Sequence, residues 1–97
     1  MNEDTDDREF FGDRRIPLML LYLADHDGCM MSELYRDVTG NRSRPEVLEA
    51  IERAGAVVRV REGRTTRIHL TAKGRRMGRM LKEAKAIYEE TVDASRS

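Results

Sequence analysis

A chain of 97 residues with 39% apolar and 37% charged side chains and zero net charge is one small domain with enough aliphatics for a single core. Its one cysteine, Cys29, excludes an internal disulfide and suits a reducing cytoplasm. No run approaches the roughly 18 apolar residues of a membrane span, and the acidic opening MNEDTDDREFFGD is the reverse of a signal peptide.

Residues 1–9 read as a disordered acidic tail, with Phe10 and Phe11 placed to anchor the start of the fold. A first helix is predicted from about Asp13 to Asp25. Ile16, Met19, Leu20 and Leu23 follow helical spacing, Asp13 is a candidate cap, and Pro17 fits the first turn. DHDG ends it. Cys29 to Met31 form a short extended piece, and Ser32 is the expected N-cap of a second helix carrying Leu34, Tyr35 and Val38. The turn TGN leads to a third helix that opens with SRPE. There Ser43 and Glu46 are spaced as a capping box, and Pro45 sits where its missing N–H costs nothing. Val47, Leu48, Ile51 and Ala54 are its expected core positions, and Gly55 its C-terminal cap.

Val58 to Leu70 reads as a two-stranded hairpin. Pairing Val60 with Ile68 and Val58 with Leu70 leaves the three-residue loop Gly63-Arg64-Thr65. That register puts Arg59, Arg61, Arg67 and His69 together on one face, with Arg61 opposite Arg67. Like charges so placed repel by a few tenths to about 1 kcal/mol per pair. A fourth helix is expected from Thr71, its N-cap, to about Val92. Its apolar stripe is Met77, Met80, Leu81, Ala84, Ile87, Tyr88 and Val92. Three short elements cannot cover so long a helix, so its far half is expected to pack on a second copy. A domain this size buries only about 60–65% of its unfolded surface, which also favours a partner subunit. The expected organisation is a tail at 1–9, a folded domain at 10–76, the dimerisation helix at 71–92 and a short tail at 93–97.

The zero net charge conceals an uneven distribution. Residues 1–9 carry five acids and one base, or −4; residues 41–76 carry ten bases and four acids, or +6. Such asymmetry points to an anionic partner. Catalysis finds no support: there is no glycine-rich phosphate loop and no nucleophile–base spacing. Cys29 with His26 and His69 makes no metal-ligand pattern, so neither a metal nor another cofactor is expected. Cys29 has no cation beside it in sequence and reads as a packed thiol. GRRMG at Gly74 to Gly78 matches a membrane packing spacing but lies among arginines; a close helix contact at Gly78 is the modest reading.

The order helix, short strand, helix, helix, hairpin, long helix, together with LEAIERAGAVVRV and IHLTAKGRRMGRML, resembles the small winged helix-turn-helix transcription regulators of bacteria and archaea, the archaeal kind above all. The resemblance spans residue 14 to about residue 82, and LTAKG is its most specific piece. Ala56 stands where the family often has leucine. The resemblance implies a mostly α fold with a small β-hairpin (α+β) that binds double-stranded DNA; joined to the dimerisation helix and the reducing cytoplasm read above, the expectation is a cytoplasmic homodimeric transcription regulator, a repressor because little chain is left over to recruit polymerase. It places Asn41, Arg42, Ser43, Arg44 and Glu46 near base edges in the major groove. Arg64, with Arg59, Arg61, Thr65 and Arg67, falls on the minor groove or backbone, and Ser32 on a phosphate. The glutamates of helix 3, Glu46, Glu49 and Glu52, argue instead for a protein-interaction module. A third reading is an architectural protein that coats DNA without sequence preference. The sequence names no effector.

Overall fold

The computed structural model describes residues 10–90. The acidic tail at 1–9, Val92 and the tail at 93–97 lie outside the described residues. In chain order the elements are α1 (Arg15–Asp25), β1 (Cys29–Met30), α2 (Met31–Thr39), α3 (Pro45–Arg53), β2 (Val57–Glu62), β3 (Thr65–Leu70) and α4 (Ala72–Tyr88). The helices surround one core built from Met19, Leu20 and Leu23 of α1, Leu34 of α2, Leu48 and Ile51 of α3, and Val57 and Ile68 of the sheet. Phe10 packs against this core while Phe11 is exposed. No helix among the described residues is long and apolar enough to cross a membrane.

Helix starts differ from the expected caps in instructive ways. α1 begins two residues after Asp13, yet the Asp13 carboxylate still accepts the Arg15 backbone N–H at 3.0 Å and grips its guanidinium with two bonds of 2.8 Å. α2 starts at Met31, so Ser32 is an exposed residue inside the first turn and not the cap. The reason is β1: the strand ends at Met30, whose N–H donates to Glu33 Oε1 at 2.8 Å. The Ser43–Glu46 capping box does not form either. Arg44 is the N-cap of α3, which puts Ser43 outside the helix and Glu46 at its second position. Gly55, at φ +82°, closes α3 as expected and lets Ala56 N–H reach the Ile51 carbonyl at 3.0 Å. Ala54, expected in the core, is exposed.

The hairpin is real, but its register is shifted by one residue and it is not alone. β1 pairs with β3, giving a three-stranded antiparallel sheet in the order β1-β3-β2. Val57 opposes Leu70, Arg59 opposes Ile68, Val60 opposes Arg67 and Glu62 opposes Thr65, so the loop has two residues, Gly63 and Arg64. Because side chains alternate along a strand, this slip exchanges the two faces. Val57 is buried, while Val58 and Val60 are 46% and 37% exposed beside Arg67 and His69. Two features select this register. Ala56 and Val57 enter the core directly after Gly55, which fixes the parity of β2. Gly63, at φ +63°, suits the first position of a two-residue turn. Arg61 therefore faces Thr66 and not Arg67, and the expected row of facing cations does not exist.

The start of α4 is latched to the turn between α3 and β2. Thr71 Oγ1 accepts the Gly74 N–H at 3.0 Å, as expected of an N-cap, and donates to the Gly55 carbonyl at 2.5 Å. The Thr71 backbone N–H donates to the Ala56 carbonyl at 2.9 Å, and Lys73 Nζ to the Ala54 carbonyl at 2.7 Å. Gly78 gives the close helix contact anticipated for it: a Cβ there would lie 3.0 Å from Ala24 Cβ of α1. Met77 and Leu81 turn toward this chain's own core, whereas Met80, Ala84, Ile87 and Tyr88 are exposed.

Candidate nucleic-acid interface

The turn between α2 and α3 is tightly specified. Gly40 and Asn41 both lie in the left-handed region, at φ +67° and +70°. Asparagine tolerates that region better than most residues, so Asn41 has a backbone role whatever its side chain contacts. The Asn41 N–H donates to the Tyr35 carbonyl at 3.0 Å, and Thr39 Oγ1 bridges to the carbonyls of Tyr35 and Arg42 at 2.9 and 2.5 Å. This fixes where Arg42 and Ser43 leave the turn, both exposed. Arg44 is half-buried and donates to the Ser43 carbonyl at 3.1 Å.

α3 presents a mixed outward ridge. Val47, Leu48 and Ile51 face the core, which leaves Glu46, Glu49 and Arg53, at helical spacing, exposed on the opposite side. Glu46 lies 3.7 Å from the Arg15 guanidinium and sits in the first turn, where the helix dipole favours an acid. Glu52 is bound by Arg59 of β2 at 3.0 Å. Among the described residues, no cation lies within ion-pair distance of Glu49.

The hairpin beside α3 has its own pairing. Arg67 binds Glu62 at 3.0 Å and donates to the Gly28 carbonyl at 2.9 Å, tying β3 to the loop before β1. Arg61 donates to the Gly63 carbonyl at 2.7 Å. Arg64 stands at the exposed tip next to half-buried Thr65.

No protein-family model matches the chain, and no curated protein does. Solved structures do match. SSV1 F-93 superposes with a TM-score of 0.66 at 26% identity, over 77% of this chain and 89% of that one. MepR, a transcription regulator of the Staphylococcus aureus multidrug efflux pump MepA, superposes with a TM-score of 0.72 at 23% identity, over 93% of this chain and 70% of that one. The S. aureus MepR–DNA complex is matched at 0.65 and 25% identity, over the same shares of the two chains. The fold is the winged helix-turn-helix.

In this winged helix, α2 and α3 are the helix-turn-helix and the β2–β3 hairpin is the wing. The structure brings Asn41, Arg42, Ser43, Arg44 and Glu46 together at the start of α3, and Arg61, Arg64 and Thr65 at the end of the wing. It sets Arg59 and Arg67 apart from that group, because each is held by a carboxylate within the fold. Ser32 lies at the start of α2, where the Glu33 carboxylate already occupies a backbone N–H. Arg53 is the surface cation that sequence reasoning passed over. Its signal was the seven-residue spacing from Glu46, two helical turns along the same ridge.

Cys29 is buried, as its sequence context suggested. Burial, then the nearby Glu33 carboxylate, pushes its thiol up to about 11, far from the range of a reactive thiolate. Among the described residues, no three His, Cys, Asp or Glu side chains converge as a metal site.

Proposed function

We propose that this protein is a sequence-specific, double-stranded-DNA-binding transcription regulator of the cytoplasm, acting as a homodimeric repressor. In the proposed complex the start of α3 enters the major groove and Arg64 at the wing tip reaches the minor groove or the phosphate backbone. One observation carries the reading. Among the described residues, five of the nine arginines with no carboxylate within ion-pair distance, Arg42, Arg44, Arg53, Arg61 and Arg64, lie on α3, its leading turn or the wing; the other four, Arg14, Arg75, Arg76 and Arg79, precede α1 or lie on α4. Only Glu49 opposes them unpaired. The matched MepR–DNA complex supports the same choice of partner. Exposed Met80, Ala84, Ile87 and Tyr88 on α4 support the homodimer. A two-fold dimer would set its two α3 helices about 34 Å apart, one turn of DNA.

The test is binding to a pool of random duplexes, followed by titration of selected and unselected sequences at several salt concentrations. Affinity should fall with a log–log slope of about −0.9 per phosphate contact. Arg64→Ala should flatten that slope by about one contact per subunit while leaving the melting temperature unchanged. Equal affinity for every duplex would leave only an architectural role. The Glu46–Glu49 edge of α3 favours a second reading, a protein-interaction module. Absence of binding to any duplex at low salt would select it.

A further inference from the structure

A cleft of about 510 Å3 lies between α1, α3 and the start of α4, walled by Ile16, Leu20, Ala50 and Met77. Its charged lining is cationic throughout: Arg53 and Lys73, both exposed. Lys73 Nζ rests on the Ala54 carbonyl, which puts it beside Arg53. Arg76 follows one turn later on α4 and is exposed as well. Among the described residues, none of the three has a carboxylate within ion-pair distance. Neither Lys73 nor Arg76 lies on α3, its leading turn or the wing, so the proposed DNA contact leaves both unused. A cluster of unpaired cations around one cleft is a seat for an anionic segment.

The described chain begins in this same cleft. Phe10 lines it and packs on the core. The nine residues before Phe10 carry Glu3, Asp4, Asp6, Asp7 and Glu9 against the single base Arg8, a balance of −4. Fully extended they would span up to about 30 Å, and the four nearest Phe10, three of them acids, roughly 13 Å. The cationic rim begins at their root. We infer that residues 1–9 seat on this rim and set their acids against Arg53, Lys73 and Arg76. The tether makes the encounter intramolecular, at an effective concentration in the millimolar range. Exposed ion pairs too weak to hold a free peptide can then act together. Arg53 also belongs to the outward ridge of α3, so the seated segment competes with a duplex for it. The seat stands on the cleft and the charges; the competition rests on the DNA-binding reading above.

The test uses the full chain and a carbodiimide, which joins a carboxylate directly to a lysine amine. The lysines are Lys73, Lys82 and Lys85, and the last two already pair with Asp25 and Glu89. Mass spectrometry of the single-chain band should find acids of residues 1–9 joined to Lys73 and not to Lys82 or Lys85. The product should fade in about 1 M salt, where the screening length is about 3 Å. Joining only between two chains, or none at Lys73, overturns the seat. Neutralising the segment (Glu3→Gln, Asp4→Asn, Asp6→Asn, Asp7→Asn and Glu9→Gln together) should raise affinity for a selected duplex about three- to tenfold at low salt. Adding Arg76→Gln, which weakens the seat from off the DNA surface, should shrink that gain. An undiminished gain is long-range charge alone and overturns the competition, as does an unchanged affinity. Absence of duplex binding by every variant refutes the DNA-binding reading itself, and the coupling at Lys73 still decides the seat.

Discussion

Gly74→Ala should cost this small domain a large part of its stability. An alanine Cβ at that position would lie 2.0 Å from the Ala56 carbonyl oxygen and 2.9 Å from both the Ala56 carbonyl carbon and Leu70 Cδ2. The first contact is more than 1 Å inside normal van der Waals distance, and it is with backbone. That oxygen cannot swing away, because it accepts the Thr71 N–H at 2.9 Å and is flanked by the Thr71 and Lys73 bonds to Gly55 and Ala54. α4 must therefore shift bodily and give up part of the latch. Overpacking costs typically 1–3 kcal/mol and a lost hydrogen bond about 1 kcal/mol more. Against this, alanine is better than glycine in a helix by about 1 kcal/mol. The net is roughly 1–3 kcal/mol, which for about 100 residues lowers the melting temperature by on the order of 5–20 °C. Thermal unfolding followed by circular dichroism reads it directly. Gly78→Ala is the control: its one tight contact would be Ala24 Cβ at 3.0 Å, with the Leu20 carbonyl oxygen at an ordinary 3.5 Å, and the helix-propensity gain offsets most of that. Equal melting temperatures for Gly74→Ala and the natural chain would refute the claim that α4 is held by backbone approach at Ala56.

Two further outcomes follow from the charges. The Arg36 guanidinium, and then the Tyr22 hydroxyl, hold the Asp37 carboxyl at about 2. A carboxyl depressed in the fold stabilises above its unfolded value near 4 and loses that effect as pH falls toward 2. Melting temperatures should therefore drop more between pH 4 and 2 for the natural chain than for Asp37→Asn, and identical profiles would show that Asp37 contributes nothing to acid stability. On DNA, Glu49→Gln should raise affinity two- to fivefold, the size of one removed exposed repulsion of about 0.5–1 kcal/mol. An unchanged affinity in anisotropy titrations would place the outward ridge of α3 away from the duplex.

Most of the fold was legible because its signals are local. The spacing of Ile16, Met19, Leu20 and Leu23, the glycine after α3 and the threonine before α4 each act within a turn of chain, and each appears where its pattern put it. The hairpin register was not legible in the same way. VVRVR contains apolar residues of both parities, so alternation alone permits either face to be buried. The choice fell to Ala56 and Val57, whose burial depends on the distant contact with α4. The caps of α2 and α3 failed for a related reason: β1 and Pro45 set where those helices begin, which left Ser32 two residues past one cap position and Ser43 one residue short of the other. At the candidate site, the residues at the start of α3 and the tip of the wing could be grouped from sequence. Which arginines were already paired could not, since Glu52–Arg59 depends on the turn between α3 and β2 and on the hairpin register, and Gly28–Arg67 joins segments far apart in the chain.

That pairing changes what the wing arginines are for. Read as a row of facing cations, Arg59, Arg61 and Arg67 would be a phosphate-binding strip under internal repulsion. The observed register removes the repulsion and assigns two of the three to carboxylates: Arg59 to Glu52 on α3, Arg67 to Glu62 in the wing. Both acids lie on the elements proposed to face DNA, where an unpaired carboxylate would repel the backbone. In the proposed complex Arg59 and Arg67 would thus act on the polyanion indirectly, by neutralising the acids beside it. In the same proposed complex Arg42, Arg44, Arg53, Arg61 and Arg64 would remain for direct contact. Glu49 is then the one acid on this face left unneutralised. Within the proposed complex such a residue costs affinity, which is the repulsion that the Glu49→Gln titration measures.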